Sequence, residues 1–173
     1  MLEVRNVKIS LKVRGCCLNI VIKLLDSKSI VYKKHPNFIS FVLHNFTYVY
    51  FKEPFRNKLI NHINITKIPS LDKVDEAIVC LKDICCFEVI SQNIDNIIAT
   101  CTLDRPINIR KVIDTKCFSQ TKYNPEQFPG IFITFDGGTV ILFHSGNIVL
   151  VGFKQIDILE DVYRILCVRM KTI

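Results

Sequence analysis

An α+β fold made of two copies of one strand-and-helix unit is what this sequence of 173 residues predicts. Three observations carry the prediction. Residues 123–152 contain Tyr123-Asn-Pro-Glu-Gln-Phe-Pro-Gly130, two apolar runs split by Asp136-Gly-Gly138, and then Phe143-His-Ser-Gly-Asn-Ile-Val-Leu-Val-Gly152. A fainter copy lies upstream. Asn6 and Asn96 each stand 32 residues before a phenylalanine, Phe38 and Phe128, and each Phe follows a Tyr and a Pro, as in Tyr32-Lys-Lys-His-Pro-Asn-Phe38. Each half also closes on an amphipathic helical stretch. A single domain of two repeats, residues 1–86 and 87–173, accounts for the whole length, because self-similarity at a fixed period marks repeated units.

The elements follow in the same order in both halves. Leu2 to Val13 and Phe87 to Leu103 read as opening strands. Short helices follow over Leu18 to Leu25 and Pro106 to Ile113, where Pro106 suits a first helical position. Next comes a strand ending at Phe38 or Phe128, then a hairpin. In the second half Asp136-Gly137-Gly138 separates Ile131–Phe135 from Thr139–Phe143, a tight-turn signal between β-rich runs. In the first half His44-Asn45 plays that part more weakly. A further strand, Lys58 to Ile65 or Asn147 to Gly152, leads into a longer helix. Ser70 to Cys85 keeps Leu71, Val74, Ile78 and Leu81 at helical spacing behind an N-cap serine. Gln155 to about Val168 places Ile158, Val162, Ile165 and Leu166 on one face.

Helices cover one side of such a sheet, yet runs such as Phe38-Ile-Ser-Phe-Val-Leu43 are apolar at nearly every position. The uncovered face is therefore expected to be apolar as well. An exposed apolar sheet marks a binding surface for something flat and partly apolar.

Composition narrows the class. About half the residues are apolar, enough for a core, and the longest uncharged apolar stretch is far short of the roughly 20 residues a membrane helix needs. The N-terminus carries Glu3, Arg5 and Lys8 instead of a signal peptide's apolar core, which leads to the expectation of an intracellular protein with no membrane partner. The eight cysteines include adjacent pairs and sit in apolar sequence, as buried thiols do, without zinc-knuckle spacing. No metal and no cofactor is expected. The net charge of +7 is uneven: residues 1–86 hold 14 Lys and Arg against 7 Asp and Glu, residues 87–173 hold 9 against 9. A basic first repeat suits a polyanion.

The second repeat, Tyr-x-Pro-Glu-x-Phe-Pro-Gly followed by Phe-x-Ser-Gly-x-Ile-Val-Leu-x-Gly-x-Lys ending at Lys154, resembles the signature of the TATA-box-binding protein family core domain. The resemblance spans both repeats. It implies a saddle: one curved antiparallel sheet with helices on the convex side and the concave side seated in the DNA minor groove. There, in that family, apolar wedges enter base steps and kink the duplex. The family's four wedge phenylalanines match Phe38 and Phe51 in the first repeat and Phe128 and Phe143 in the second, with Phe55 close to Phe51. Its two central asparagines match Asn6 and Asn96, whose amides donate to acceptors that A·T and T·A pairs both present. Ile98, Val149 and Val151 match its apolar contacts, and Lys58 and Lys154 its basic phosphate contacts.

The chain departs from the family pattern in places. The threonine before the final glycine is Val151 in the second repeat and His62 in the first, where Asn61-His-Ile-Asn64 replaces the usual ending. Lys8 replaces a small apolar residue, and Thr134 and Asn147 stand where basic residues are usual. If Lys8, Lys58, Lys52 and Arg56 offset poorer base contact, reversing the charge of Lys52, Arg56 and Lys58 together is expected to lower affinity on all sequences and flatten its salt dependence. Tyr123, Pro125 and Glu126 match the family's contact loop for the B-type general transcription factor. The helix after Ser70, with Asp72, Asp75, Glu76 and Asp83, is less basic than its counterpart.

The resemblance thus implies a general transcription factor that bends A·T-rich promoter DNA for RNA polymerase machinery. The alternative is an interaction subunit of a transcription complex that keeps the fold without TATA recognition. An enzyme is not expected: the four histidines are scattered, and no nucleophile has a recognisable catalytic neighbour. High Ile, Asn and Lys usage points to a viral, plasmid or protist source, hence to the nucleus or, for a virus, a cytoplasmic viral factory.

Overall fold

The computed structural model describes residues 1–15, 17–51 and 60–171. The expectations for Lys52, Phe55, Arg56 and Lys58 lie outside the described residues. The chain divides into two compact units, Asn6–Asp95 and Met1–Arg5 with Asn96–Ile173. Each pairs an antiparallel ladder with amphipathic helices.

In the unit Asn6–Asp95 the elements are β1 (Glu3–Arg14), α1 (Leu18–Ser27), β2 (Tyr32–Lys34), β3 (Phe38–Leu43), β4 (Phe46–Phe51), β5 (Ile60–Ile68), a 3₁₀ turn (Leu71–Lys73) and α2 (Val74–Lys82). The ladder runs β2-β3-β4-β5-β1, every pair antiparallel. Strand alternation sends Ile39, Phe41, Tyr48, Tyr50, Ile63 and Ile65 inward, all at most 3% exposed. Val21 and Leu25 of α1 and Ala77 and Leu81 of α2 are fully buried. The Tyr48 hydroxyl donates to the Ala77 carbonyl oxygen at 2.7 Å, tying β4 to α2. Burial drives the Tyr48 phenol well above its ordinary range.

β6 (Glu88–Thr102) crosses the boundary between the units, which falls at Asp95. The other unit continues with α3 (Ile109–Asp114), β7 (Thr121–Lys122), β8 (Gly130–Phe135), β9 (Gly138–Phe143), β10 (Asn147–Phe153) and α4 (Ile156–Lys171), in the ladder order β6-β10-β9-β8-β7. Leu159, Val162, Leu166 and Met170 of α4 are buried at spacings of three and four. Each contributes about 1.5–3 kcal/mol by leaving water.

The same irregularity appears in both ladders. Between β1 and β5 the register jumps from Val7↔Ile68 to Ile9↔Ile65, and between β6 and β10 from Leu150↔Ala99 to Phe153↔Ile97. Each jump holds one residue at positive φ, Lys67 at 62° and Gly152 at 91°. A bulge of this kind inserts one residue and re-aims its neighbours. Gly152 adopts that conformation freely, whereas Lys67 does so at some cost.

Several sequence expectations shift. Phe38 begins β3 and does not end a strand, and Phe128 lies in the turn before β8. α3 starts at Ile109, not at Pro106, because Asn108 caps it by accepting from the Lys111 backbone N–H at 3.1 Å. The helix expected over Ser70 to Cys85 is a 3₁₀ turn followed by α2, ending at Lys82. The buried line of α4 is rotated from the predicted one, leaving Ile158 and Ile165 37% and 42% exposed. Only Cys85 and Cys101 among the described cysteines are fully buried, and Cys86 is exposed.

The first-half hairpin is sharper than its sequence implied. Leu43↔Phe46 closes a two-residue turn in which His44 and Asn45 both have positive φ, 47° and 71°. That geometry matches the right-handed strand twist and prefers Asn-Gly. Replacing the pair by His44→Asn with Asn45→Gly is expected to stabilise the protein by about 1 kcal/mol, read as a rise in urea midpoint at unchanged slope.

Candidate nucleic-acid interface

The face of each ladder opposite its helices carries the residues singled out by sequence. In the unit containing Asn96, strand alternation leaves Ile98, Phe132, Ile141, Phe143, Val149 and Val151 half-buried, while Ile131, Val140, Leu142 and Leu150 point into the core. Thr100, Thr134, Thr139 and Asn147 supply the polar members of this face. Asn147 is held by the Thr102 hydroxyl, which donates to its Oδ1 at 3.0 Å. Lys154 is exposed just beyond β10.

Three aromatic rings gather where β8 and β9 meet. Phe128 lies 5.0 Å from Phe132 and 5.7 Å from Phe143 between ring centroids, tilted 40° and 58°. Phe128 is 36% exposed. Its position depends on the preceding turn: the Asn124 carbonyl oxygen accepts from the backbone N–H of Gln127 and Phe128 at 3.2 and 2.9 Å. The Asn124 side-chain oxygen accepts from the Glu126 N–H at 3.3 Å. Tyr123, Pro125 and Glu126 are thus parts of the turn that aims Phe128, and Pro125 and Glu126 are exposed. Tyr123 flanks a shallow groove with Ile107, Ile109, Arg110 and His144.

Gly130 makes the cluster possible. It faces Phe143 on the ladder, and a Cβ there would stand 2.8 Å from Phe128 Cε1, 2.9 Å from Ile141 Cγ2 and 3.2 Å from Phe143 Cε1. Gly130→Val is therefore expected to displace both rings while retaining them. If the rings serve as a DNA contact, the variant is expected to bind an A·T-rich duplex about tenfold more weakly, for an interaction of about 1–2 kcal/mol, as read by fluorescence anisotropy.

The unit Asn6–Asp95 builds a similar ring pair by a different route. Phe38 itself faces Phe51 on the ladder, with centroids 5.7 Å apart at 50°. The His35 ring stacks on Phe38 at 4.2 Å and 22°. Phe38 therefore occupies the ladder position of Gly130, and the equal 32-residue spacing does not make Phe38 and Phe128 structural equivalents. Two residues fewer before β3 are compensated by the attachment point of the ring.

The asparagines are equivalent. Asn96 Oδ1 accepts from the Gly152 N–H at 2.7 Å, and Asn6 Oδ1 accepts from the Lys67 N–H at 2.9 Å. Each bond commits the amide oxygen to the bulge and leaves the Nδ2 amino group as the donor. The pairing also corrects the alignment of the repeats. Lys67 corresponds to Gly152, so Thr66 corresponds to Val151, Asn64 to Val149 and His62 to Asn147. The threonine that the sequence reading placed at His62 is present at Thr66, hidden because its following glycine has become lysine. The bulge-forming position, two residues before Pro69, is the signal that locates it.

The first unit's open face is more polar than its apolar runs implied. Ile39 and Phe41 turn inward, leaving Phe38, Ser40 and Val42, and beside them stand Thr47, Val49, His62, Asn64 and Thr66. Lys8, in the place of an apolar contact, lies 3.5 Å from the Asp95 carboxylate, which also accepts from the Ser10 hydroxyl at 2.9 Å. In the other unit Arg5 donates from Nε to the Thr100 hydroxyl oxygen at 3.0 Å and pairs with Glu3 at 2.7 Å.

Comparison with known proteins finds similar sequences and a similar fold. A family model described as transcription factor TFIID, or TATA-binding protein, matches residues 91–173. The TATA-box-binding protein of Thermococcus kodakarensis is 43% identical over 76 residues, 42% of this chain and 39% of that protein. That of Pyrococcus horikoshii is 39% identical over 82 residues, 46% of this chain and 42% of that protein. The matched segment thus spans about two-fifths of the length of these curated relatives. The solved structure of the Methanococcus jannaschii protein superposes with a TM-score of 0.77 at 23% identity, covering 99% of both chains. That likeness establishes the fold over the full length. Residues 91–173 are thus similar to the TATA-binding protein family, and the chain as a whole has the fold of the Methanococcus jannaschii protein.

Proposed function

We propose that this protein is a TATA-box-binding-like general transcription factor that seats the open sheet faces in the minor groove of A·T-rich promoter DNA and bends it. The observation that carries the reading is the Phe128–Phe143 ring pair, held at the end of an apolar sheet face with Phe128 exposed. Rings in such a position enter a base step at a cost of a few kcal/mol in unstacking, offset by the surface a bent duplex covers. The oriented amides of Asn6 and Asn96 donate to the acceptors that A·T pairs present in either direction. Phosphate attraction comes from the basic excess of the first repeat.

Glu126, exposed on the turn that aims Phe128, offers a carboxylate to a basic surface of a B-type general transcription factor, and through it to RNA polymerase machinery. Binding measured on A·T-rich and G·C-rich duplexes at two salt concentrations tests the reading. Preference for the A·T-rich duplex at both concentrations, with affinity falling as salt rises, is expected. Equal binding to both, or none, favours a protein-interaction subunit instead.

A further inference from the structure

We infer, resting on the DNA-binding reading above, that the open face of the unit Asn6–Asp95 accepts the exocyclic amino group of guanine. One half of the bound site then takes a G·C pair where the other half requires A·T. In the minor groove the guanine N2 amino group is the only donor that distinguishes the base pairs, and all other edges there are acceptors. A surface reads it by offering acceptors and rejects it by offering apolar or donor groups.

The two units differ in this respect at matched positions. Arg5 and Asp95 each stand one residue before the equivalent asparagines, and each bonds across its ladder to a hydroxyl. The Arg5 guanidinium has only donors, which suit the acceptors of A·T pairs. The Asp95 carboxylate has only acceptors. Ser10 occupies Oδ1 from one side and Lys8 approaches Oδ2 at 3.5 Å, leaving lone pairs on both oxygens. Ser10 faces Asn64 on the ladder, so a second acceptor lies in the same row. The Asn64 amide has no hydrogen-bond partner among the described residues, and its counterpart in the other unit is the apolar Val149. Lys8 offsets the carboxylate's charge, which otherwise opposes the approach of phosphates. The row Asp95, Ser10 and Asn64 thus reverses the donor and acceptor sense of Arg5, Thr100 and Val149.

The test uses A·T-rich duplexes in which one A·T pair at a time is changed to G·C or to inosine·C, which lacks only the minor-groove amino group. Toward one side of the site, G·C is expected to bind at least as well as A·T and about tenfold better than inosine·C. Asp95→Ala combined with Asn64→Val, the residue of the second repeat, is expected to erase that difference. An unchanged circular dichroism spectrum and melting profile confirm that the variant is folded. A G·C penalty of equal size on both sides overturns the inference and leaves the DNA-binding reading intact. So does a variant that changes affinity for every duplex by one factor, since Asp95 then acts through charge alone. Failure to prefer any of the A·T-rich duplexes over a G·C-only duplex overturns both.

Discussion

Alanine at both Phe128 and Phe143 is expected to abolish one of the two kinks that the proposed wedge action makes in DNA while leaving the fold in place. Phe128 is 36% exposed and Phe143 half-buried on the open face, so truncation removes little core packing. What is lost is the pair of rings, 5.7 Å apart, that is proposed to enter the base step. Base stacking on an aromatic side chain is worth about 1–3 kcal/mol per base, so the double variant is expected to lose about a hundredfold in affinity. A fluorescent base analogue placed at successive steps reports unstacking directly. Wild type brightens it at two steps, the double variant at one. Alanine at Phe38 and Phe51 is expected to silence the other step, because that pair has the same 5.7 Å separation.

Phe153→Ala is expected to be the most damaging single substitution for stability. Its ring is fully buried at the end of β10 and fills the space that Gly138 leaves open: a Cβ there would stand 2.5 Å from Phe153 Cε2. Removing a buried phenylalanine costs about 3–5 kcal/mol through lost burial and the cavity left behind. A domain of this size has roughly 5–15 kcal/mol in total. Chemical denaturation at constant slope measures the loss. Phe153→Leu, which keeps much of the volume, is expected to lose less than half as much.

The duplication, the strand and helix order and the α+β class were legible in the sequence because binary pattern and turn residues act locally. Asp136-Gly137 closes β8 and β9 as a two-residue turn with Gly137 at a φ of 88°, as that dipeptide demands. Apolar runs, in contrast, do not state which members face inward. Phe38-Ile-Ser-Phe-Val-Leu43 reads as continuous, yet pairing buries only Ile39 and Phe41. Equivalence between the repeats was obscured by two bulges. The residue equivalent to Val151 is Thr66, four residues beyond His62, because Lys67 adopts a conformation that sequence associates with glycine. The polar row at Asp95 was not legible either. Ser10 and Asp95 lie 85 residues apart in sequence and meet only through strand pairing.

The most direct test of the central claim is the end-to-end distance of a short A·T-rich duplex carrying a donor and an acceptor dye, followed as the protein is added. Minor-groove insertion predicts a large, saturable shortening of that distance, absent on a G·C-only duplex. A duplex that is bound yet keeps its unbound end-to-end distance contradicts the account.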